Sequence, residues 1–492
     1  LEKIRVKFGI LITALIAVAL LSFIIDPQTL QQVWYSVTSK NDVGNIDGKS
    51  VSYEEFQKEV DKFSVINEVS TGSSAKNEEQ QAGIRDAAWQ SFIDQYLFIK
   101  NAKKAGINVS DAEVVAILSG EIDSPVFSQN PMFYDDALDL CLNCKRCEVA
   151  CPSNVKIGDL IQSARLKYST KKPKLRDFML ANTDLLGSVA TTMAPVVNFT
   201  LGLKPVKAVM EGMLAIDHHR TFPKYSGQKF ETWFKRHALK KQEVYEKKVS
   251  YFHGCYANYN YPKLAKDFVK IMNALGYGVN LLEKEKCCGV ALISNGFKDQ
   301  AVKQAELNLG SIRSAVKRGE PVLTTSSTCT FTMRDEYVHI LELDNSDVRD
   351  SIALATKFIY ELVDAGKAKL VFKEDYRKRI AYHTPCHMEK LGWAVYSTSL
   401  LRMIPGVDFN MLDSQCCGIA GTYGFKKEHY NDSQKIGESL FRQITDLNVD
   451  MVATDCETCK WQIEMSANVQ VENPVSIIAD ALDVEATIKA NR

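Results

Sequence analysis

Cysteine is the residue type in this chain that could do chemistry, and all 13 cysteines lie after residue 140. An odd number of cysteines confined to one part of the chain does not suit a secreted disulfide framework. Thiolates are soft ligands, and in such numbers they suit iron–sulfur clusters or zinc. Metal or cluster binding is therefore the chemistry that the sequence indicates first.

Four of the cysteines form a compact run in the segment CLNCKRCEVACP. The C-x2-C-x2-C-x3-C-P pattern of a bacterial [4Fe-4S] ferredoxin fits the spacing of Cys141, Cys144, Cys147 and Cys151. In two-cluster ferredoxins the fourth cysteine ligates the other cluster, but this chain has a single such run. Three arrangements stay open: one site with all four thiolates, an incomplete three-cysteine cluster, or a ligand from a partner chain. A zinc knuckle is the alternative.

The other nine cysteines belong to an internal repeat with an offset of about 130 residues. In each copy, short apolar strands lead into a single cysteine, then a CCG triplet, then a last cysteine group. The first copy contains Cys255, Cys287, Cys288 and Cys329. The second copy contains Cys386, Cys416, Cys417, Cys456 and Cys459. Thr332 stands in the first copy where the second has the last cysteine of its C-x-x-C pair.

Short strands alternate with helical segments in this part of the chain, for example at 262–275 and 433–447, which predicts parallel α/β sheets. Ligands of such sheets gather at the carboxyl ends of the strands. We therefore expect cysteines that are distant in sequence to meet in one pocket. The glycine after each double cysteine, Gly289 or Gly418, would let the backbone approach a bulky cofactor.

Several histidines accompany these cysteines. We expect His253, His383 and His387 to make ordinary hydrogen bonds at strand ends, with metal ligation or proton transfer as the alternative. His218 and His219 follow Asp217 in a charged stretch, and we expect them to be surface or structural residues.

The cysteine repeat resembles the cysteine-rich domains of the heterodisulfide reductase and glycolate oxidase iron–sulfur family. Within it, residues 134–492 are similar to the C subunits of anaerobic sn-glycerol-3-phosphate dehydrogenases, through segments such as FHGCYANYNYP, LLEKEKCCGV, YHTPCHMEKLGW and LDSQCCGIAGTYGFKKE. The resemblance implies an electron-transfer protein that passes electrons from the flavin-bearing A and B subunits toward menaquinone. It also implies association with the inner membrane, with the iron–sulfur part on the cytoplasmic side.

The same resemblance indicates what the cysteines hold. In relatives, a five-cysteine set like that of the second copy can hold a non-cubane [4Fe-4S] cluster. The first copy has only four thiolates, so a different cluster or a metal-free scaffold stays open there. All 13 cysteines are thus candidate ligands of ferredoxin-type or non-cubane [4Fe-4S] clusters. A zinc-stabilised structural module is the alternative.

The first 133 residues have a different character. Residues 8–25 form an uncharged, mostly apolar stretch that would make roughly 27 Å of helix, enough for a membrane anchor. Lys3, Arg5 and Lys7 precede it, so the positive-inside rule sends the following residues out of the cytoplasm. The segment VGNIDGKSVSYEEFQKEV resembles the N-terminal part of SurA/PpiD-type periplasmic chaperones and isomerases. Since no parvulin domain follows, a membrane-anchored chaperone fragment without isomerase activity is a further alternative.

These features predict an α+β multidomain protein. Its 60 cationic and 60 anionic residues balance, which argues against a nucleic-acid partner. The predicted parts are a transmembrane anchor at 1–25, a chaperone-like helical segment at 26–133, a helical ferredoxin-type [4Fe-4S] domain at 134–248, and cysteine-rich α/β modules at 249–375 and 376–492.

The two ends of the chain imply opposite sides of the inner membrane. An oxidising compartment would favour disulfides among cysteines that the resemblance assigns to clusters. We therefore hypothesise a composite chain, in which the chaperone-like segment replaces a first ferredoxin run near residues 133 and 134.

Residues 185–203 are also uncharged, but they contain Gly187, Pro195 and Asn198. Their weak hydrophobicity and internal proline fit an interfacial or partner-docking segment better than a spanning helix. A partly buried hairpin is the alternative.

Overall fold

The computed structural model describes residues 42–71, 77–106, 138–151, 155–168 and 174–492. The chain divides into two compact units, Leu1–Val114 and Val115–Arg492. The anchor predicted at 8–25 lies outside the described residues, and so does Pro152 of the ferredoxin-type run.

The first unit contains a β-hairpin and helices. Its elements are β1 (Asp42–Ile46), β2 (Lys49–Ser52), α1 (Tyr53–Thr71), α2 (Glu78–Ile93) and α3 (Lys100–Lys104). The strands pair antiparallel across a turn at Asp47 and Gly48, both of which have positive φ. A capping box starts α1: Glu55 N donates to Ser52 Oγ at 3.3 Å, and Ser52 N donates to Glu55 Oε2 at 3.2 Å.

The apolar face of α2 is buried at Ile84, Ala88 and Phe92. Ile99, which follows α2, is 44% exposed. Residues Asp94–Ile99 form a π-helical turn, and the wider turn rotates the later side chains away from the buried face.

The second unit contains two four-stranded sheets. The first sheet has β3 (Lys247–Phe252), β4 (Tyr277–Leu281), β5 (Val322–Thr324) and β6 (Ile352–Leu354); the second has β7 (Lys378–Tyr382), β8 (Val407–Met411), β9 (Met451–Ala453) and β10 (Gln470–Glu472). All neighbouring strands are parallel, in the orders β4-β3-β5-β6 and β8-β7-β9-β10. In each sheet, the second strand in sequence lies at the edge, next to the first strand. The predicted repeat is therefore confirmed, because both copies have the same strand order.

Helices precede the sheets and connect their strands. Those before the first sheet are α4 (Arg146–Val149), α5 (Ile157–Tyr168), α6 (Leu175–Ala181), α7 (Thr183–Thr192), α8 (Ala194–Gly202), α9 (Lys204–Leu214) and α10 (Phe230–His237). Those of the first sheet are α11 (Pro262–Ala274), α12 (Val290–Ser294), α13 (Lys298–Lys317), α14 (Ser327–Phe331), α15 (Tyr337–His339) and α16 (Ala355–Asp364). Those of the second are α17 (Cys386–Leu391), α18 (Ala394–Arg402), α19 (Tyr430–Leu447), α20 (Glu457–Ala467), α21 (Pro474–Ala481) and α22 (Val484–Ala490).

One hydrophobic core joins the two sheets. It contains Tyr251 of β3, Phe268 of α11 and both Ile380 and Tyr382 of β7. The rings of Tyr251 and Phe268 stack with centroids 4.2 Å apart. Because both sheets bury side chains in the same core, their carboxyl ends are held in fixed relative positions.

The glycines after the double cysteines both have positive φ, +92° at Gly289 and +82° at Gly418. A Cβ at Gly418 would lie 1.9 Å from the carbonyl oxygen of Ser433 in α19. Glycine is therefore needed at 418 for close packing on a helix, whereas the sequence predicted only an approach to a cofactor.

An ion pair between a buried arginine and a partly exposed glutamate joins α6 to the segment before α19. Arg176, whose side chain is 3% exposed, donates to both carboxylate oxygens of Glu428 at 2.8 Å. Burial alone would raise the pKa of Glu428, but the hydrogen bonds from Arg176 outweigh it and lower the pKa to about 2.

We expect Glu428→Gln to lower the free energy of unfolding by about 1–2 kcal/mol near neutral pH, because it leaves a buried guanidinium without its main partner. Glu428 is itself partly exposed, which keeps this loss below that of a fully buried pair. The folded pKa is below the ordinary 4.5, so the contribution is complete above that pH and is lost as the pH falls toward 2. Urea denaturation as a function of pH measures it. Glu438→Gln is the control, since its pair with Arg442 is exposed and should contribute less than about 0.5 kcal/mol.

Candidate iron–sulfur site

The five cysteines of the second copy meet at the carboxyl end of their sheet. Cys386 opens α17 after β7, the adjacent pair Cys416 and Cys417 follows β8, and Cys456 and Cys459 stand at the start of α20 after β9. The sulfur atoms of Cys417 and Cys459 are 3.3 Å apart. Thiol–thiol contacts also join Cys386 to Cys416 and Cys456 to Cys459. We call these five residues the second cysteine set.

The four cysteines of the first copy form an equivalent group, the first cysteine set. Its thiol contacts run from Cys255 to Cys287, from Cys287 to Cys288, and from Cys288 to Cys329. Thr332 is buried, and its hydroxyl donates to Glu336 Oε2 at 2.7 Å.

Both cysteine sets line one cavity of about 520 Å³. The loops after β5 and β9 lie against each other: Ser327 N donates to the Asp455 carbonyl at 2.9 Å, and Ser326 Oγ donates to Glu457 Oε2 at 2.8 Å. The Thr328 hydroxyl of the first copy is 3.6 Å from Cys456 Sγ of the second. The distant cysteines of both copies thus line one cavity, as the sequence predicts.

One cysteine of the ferredoxin-type run joins this cavity. Cys144 lines it and contacts Cys386, and the hydrogen bond between the two thiols lowers the pKa of Cys144 to about 7. Cys147 is exposed, and partial burial, Glu148 and the neighbouring thiols of Cys144 and Cys141 raise its pKa. Cys151 Sγ accepts a hydrogen bond from Val155 N at 3.4 Å.

Buried charges surround the run. Lys145 is 1% exposed, lies in the left-handed region with φ of 59°, and forms ion pairs with Asp159 and with Glu148. Burial would lower the pKa of Lys145, but Glu336 and Asp159 outweigh it and raise the pKa, so the lysine is charged. Asn143 Nδ2 donates to Glu336 Oε1 at 2.8 Å. The Asn143–Glu336 hydrogen bond therefore joins the run to the first copy, whereas the ion pairs of Lys145 join it to α4 and α5.

The three histidines near the cysteines each have a protein partner. His383 is buried between Thr454 Oγ1 at 3.1 Å and the Gln415 carbonyl at 3.2 Å, and burial lowers its pKa to about 4. His253 Nδ1 lies 3.0 Å from Glu285 Oε1. The ring of His387 stacks on that of Phe331, with the ring centroids 4.7 Å apart. His218 and His219 are exposed.

Sequence reasoning missed two carboxylates beside the first cysteine set. Asp184 at the start of α7 accepts a hydrogen bond from Cys287 N at 2.7 Å, and burial together with the Cys287 charge raises its pKa to about 6. Glu285 accepts from Gly254 N at 2.7 Å beside the first set. Asp184 directly precedes the uncharged stretch at 185–203, and this position is the feature of the sequence that could have identified it as a candidate site residue.

The apolar stretch forms one wall of the cavity. Leu186 and Ala190 of α7, Val197 and Leu201 of α8, and Met210 of α9 all line it. In the part of the chain that the structure describes, no individual helix has the length and hydropathy to cross a membrane. The pair α7 and α8 meets both criteria when taken together, but it is bent by 108°.

The fold and the site define a protein with two repeated cysteine-rich α/β domains. Residues 249–334 and 380–464 match the family model of the cysteine-rich domain, and residues 1–142 match that of the SurA-like N-terminal domain. The two predicted resemblances are thus confirmed on different parts of the chain.

The C subunit of anaerobic glycerol-3-phosphate dehydrogenase from Escherichia coli strain K12 is 56% identical over 350 residues, which cover 71% of this chain and 88% of that protein. The chain therefore belongs to the family of anaerobic glycerol-3-phosphate dehydrogenase C subunits. More distant relatives include the B subunit of fumarate reductase (CoM/CoB) from Methanothermobacter marburgensis, at 27% identity over 44% of this chain and 42% of that protein. An uncharacterized iron–sulfur protein of Methanocaldococcus jannaschii is 27% identical over 48% of this chain and 45% of its own length.

Proposed function

We propose that this chain is the iron–sulfur electron-transfer subunit of an anaerobic glycerol-3-phosphate dehydrogenase complex. It takes electrons from the flavin-bearing A and B subunits and passes them toward menaquinone, while substrate oxidation occurs on those partners. The observation that carries this proposal is the single cavity of about 520 Å³ lined by ten cysteines from distant parts of the sequence. A structural zinc ion needs only four ligands in a closed tetrahedral cage, so a cavity of this size suits polynuclear clusters better.

The second cysteine set would hold a [4Fe-4S] cluster, and its five thiolates favour the non-cubane type. A bound cluster supplies one-electron redox chemistry. The surrounding residues can tune it through hydrogen bonds to sulfur: Gly418 N donates to Cys416 Sγ at 3.4 Å, and the Thr458 hydroxyl lies 3.2 Å from Cys456 Sγ.

The ferredoxin-type run would supply the entry point for electrons. Cys147 is exposed, whereas Cys144 contacts Cys386 of the second set. A cluster held by this run would therefore lie between the protein surface and the second cysteine set. The first set offers four thiolates, enough for a further [4Fe-4S] cluster.

Anaerobic purification followed by iron, zinc and acid-labile sulfide analysis tests the cofactor. We expect iron and sulfide in similar amounts and an EPR signal after reduction with dithionite. Zinc without acid-labile sulfide would contradict the proposal.

Electron transfer is tested by reconstitution with the A and B subunits. Glycerol-3-phosphate-dependent reduction of a water-soluble menaquinone analogue should require this chain. The matched control is the same chain after oxidative removal of iron, which should not support the reaction.

A further inference from the structure

The last cysteine group of each copy stands at the start of a helix, and the two helices begin in the same way. Ser326 is the N-cap residue of α14, and Cys456 is the N-cap residue of α20. Their backbone angles are similar, with φ of −115° and ψ of 121° at Ser326, and φ of −133° and ψ of 122° at Cys456. Ser326 therefore occupies in the first copy the backbone position that Cys456 occupies in the second.

The contacts between thiols support the same correspondence. Cys417 Sγ is 3.3 Å from Cys459 Sγ in the second set, and in the first set Cys288 makes the equivalent contact with Cys329. Cys329 is the third residue of α14, just as Cys459 is the third residue of α20. Cys329 thus corresponds to Cys459, the last cysteine of the second set.

Thr332, which the sequence spacing places at the missing cysteine, lies elsewhere. It belongs to the π-helical turn Thr332–Glu336 after α14, is fully buried, and donates its hydroxyl to Glu336 Oε2 at 2.7 Å. Ser326, in contrast, lines the cavity together with Cys329. The first set therefore has four thiolates because serine stands at position 326.

The hydroxyl of Ser326 is engaged in hydrogen bonds of its own. It accepts from Cys329 N at 3.3 Å, and it donates its one proton to Glu457 Oε2 at 2.8 Å. A thiolate at this position would instead face the Glu457 carboxylate, and two negative charges so close together destabilise each other. An uncharged serine therefore suits the contact between the two copies.

The surroundings of position 326 are otherwise like those of Cys456. The hydroxyl of Thr458, two residues after Cys456, lies 3.2 Å from Cys456 Sγ. Thr328 stands two residues after Ser326, so a thiol at 326 would have an equivalent hydroxyl nearby. The charge of Glu457 is therefore the feature that opposes a thiolate there.

We propose that Ser326 selects the type of cluster in the first set, because it keeps that set at four thiolates. Four thiolates supply one protein ligand to each iron of a cubane [4Fe-4S] cluster. The second set has a cysteine at the same backbone position, and its fifth thiolate favours the non-cubane type. The one cavity would thus hold two clusters of different type. The inference rests on the proposed function, since it concerns clusters in both sets.

A gain of the fifth thiolate tests the proposal. Ser326→Cys combined with Glu457→Gln supplies the thiol and removes the opposing charge. Mössbauer spectroscopy of the full chain, purified anaerobically, measures the iron that has the spectrum of the second set, which is the spectrum lost in Cys416→Ser combined with Cys417→Ser. This fraction should rise about twofold over that of Glu457→Gln alone, at unchanged total iron, because two five-thiolate sets would then be present.

Thr332→Cys combined with Glu457→Gln is the matched control. It adds the same thiol to the same helical segment, at the position that the sequence spacing suggests. Its spectrum should equal that of Glu457→Gln alone. A gain at position 332 as large as that at position 326 would overturn the assignment of Ser326.

The reciprocal substitution gives the second set the ligands of the first. Cys456→Ser should retain about four irons in the second set, since four thiolates remain, but its spectrum should become that of the first set. This variant adds no side chain to the first copy, so it stays decisive if Ser326→Cys prevents folding. Loss of those irons, or an unaltered spectrum, would overturn the proposal.

Failure of this inference can be told apart from failure of the proposed function. Iron and acid-labile sulfide in the unaltered chain, with no spectral change in the Ser326→Cys and Cys456→Ser variants, would overturn the role of Ser326 alone. A lack of iron and sulfide in the unaltered chain would overturn both.

Discussion

Cys416→Ser combined with Cys417→Ser should remove the cluster of the second set, with loss of about four irons and four acid-labile sulfides per chain. Both cysteines line the cavity, and Cys417 Sγ is 3.3 Å from Cys459 Sγ. Because the hydroxyl of serine is a poor ligand for iron, the remaining three thiolates should not retain a stable cluster. Iron and sulfide analysis with EPR measures the loss. Glycerol-3-phosphate-dependent quinone reduction should fall on the order of 100-fold.

The matched variant is Cys287→Ser combined with Cys288→Ser, at the equivalent pair of the first set. Loss of iron there would mean that four thiolates suffice for a cluster, and unchanged iron would mean that the first set is a metal-free scaffold. Full retention of iron by the Cys416 and Cys417 variant, with an unaltered EPR signal, would contradict the assignment of the second set.

The parallel direction of the strands and their repetition in two copies could be predicted from the sequence because strand ends carry a visible signal. An apolar strand followed by cysteine recurs in both copies, and parallel strands must bring their carboxyl ends to one edge. The sequence did not predict which cysteines from different helices and loops would contact one another. Cys144 contacts Cys386, and the residue next to it, Lys145, is buried; a lysine within CKRC gives no sign of either.

The apolar stretch shows a different limit. Its composition was compatible with an interfacial segment or a hairpin, since composition gives the hydropathy of a segment but not the direction in which its helices run. The bend of 108° arises where α7 ends and Pro195 restarts the chain as α8. The anchor at 8–25 and the side of the membrane stay predictions.

Lys145→Met should lower the free energy of unfolding of the second unit by about 3–5 kcal/mol, because it removes the cation from a buried cluster of carboxylates. The side chain of Lys145 is 0% exposed, and those of Glu148 and Asp159 are 2% and 8% exposed. Glu148 would keep Lys390 at 2.8 Å, but Asp159 would lose its ion pair. Urea denaturation measures the loss. It should shrink as the pH is lowered from about 8 toward 5, since protonation then neutralises the stranded carboxylates.

Two comparisons separate charge from packing at this position. Adding Asp159→Asn to Lys145→Met should recover part of the stability, because one buried negative charge disappears with the positive one. Lys298→Met removes an exposed pair with Glu342 and should change stability by less than about 1 kcal/mol. Because Lys145 directly follows Cys144 and is buried, Lys145→Met should also alter the EPR signal of any cluster that Cys144 helps to bind. An unchanged signal with an unchanged unfolding energy would mean that neither the position of the run nor that of Cys144 depends on this charge.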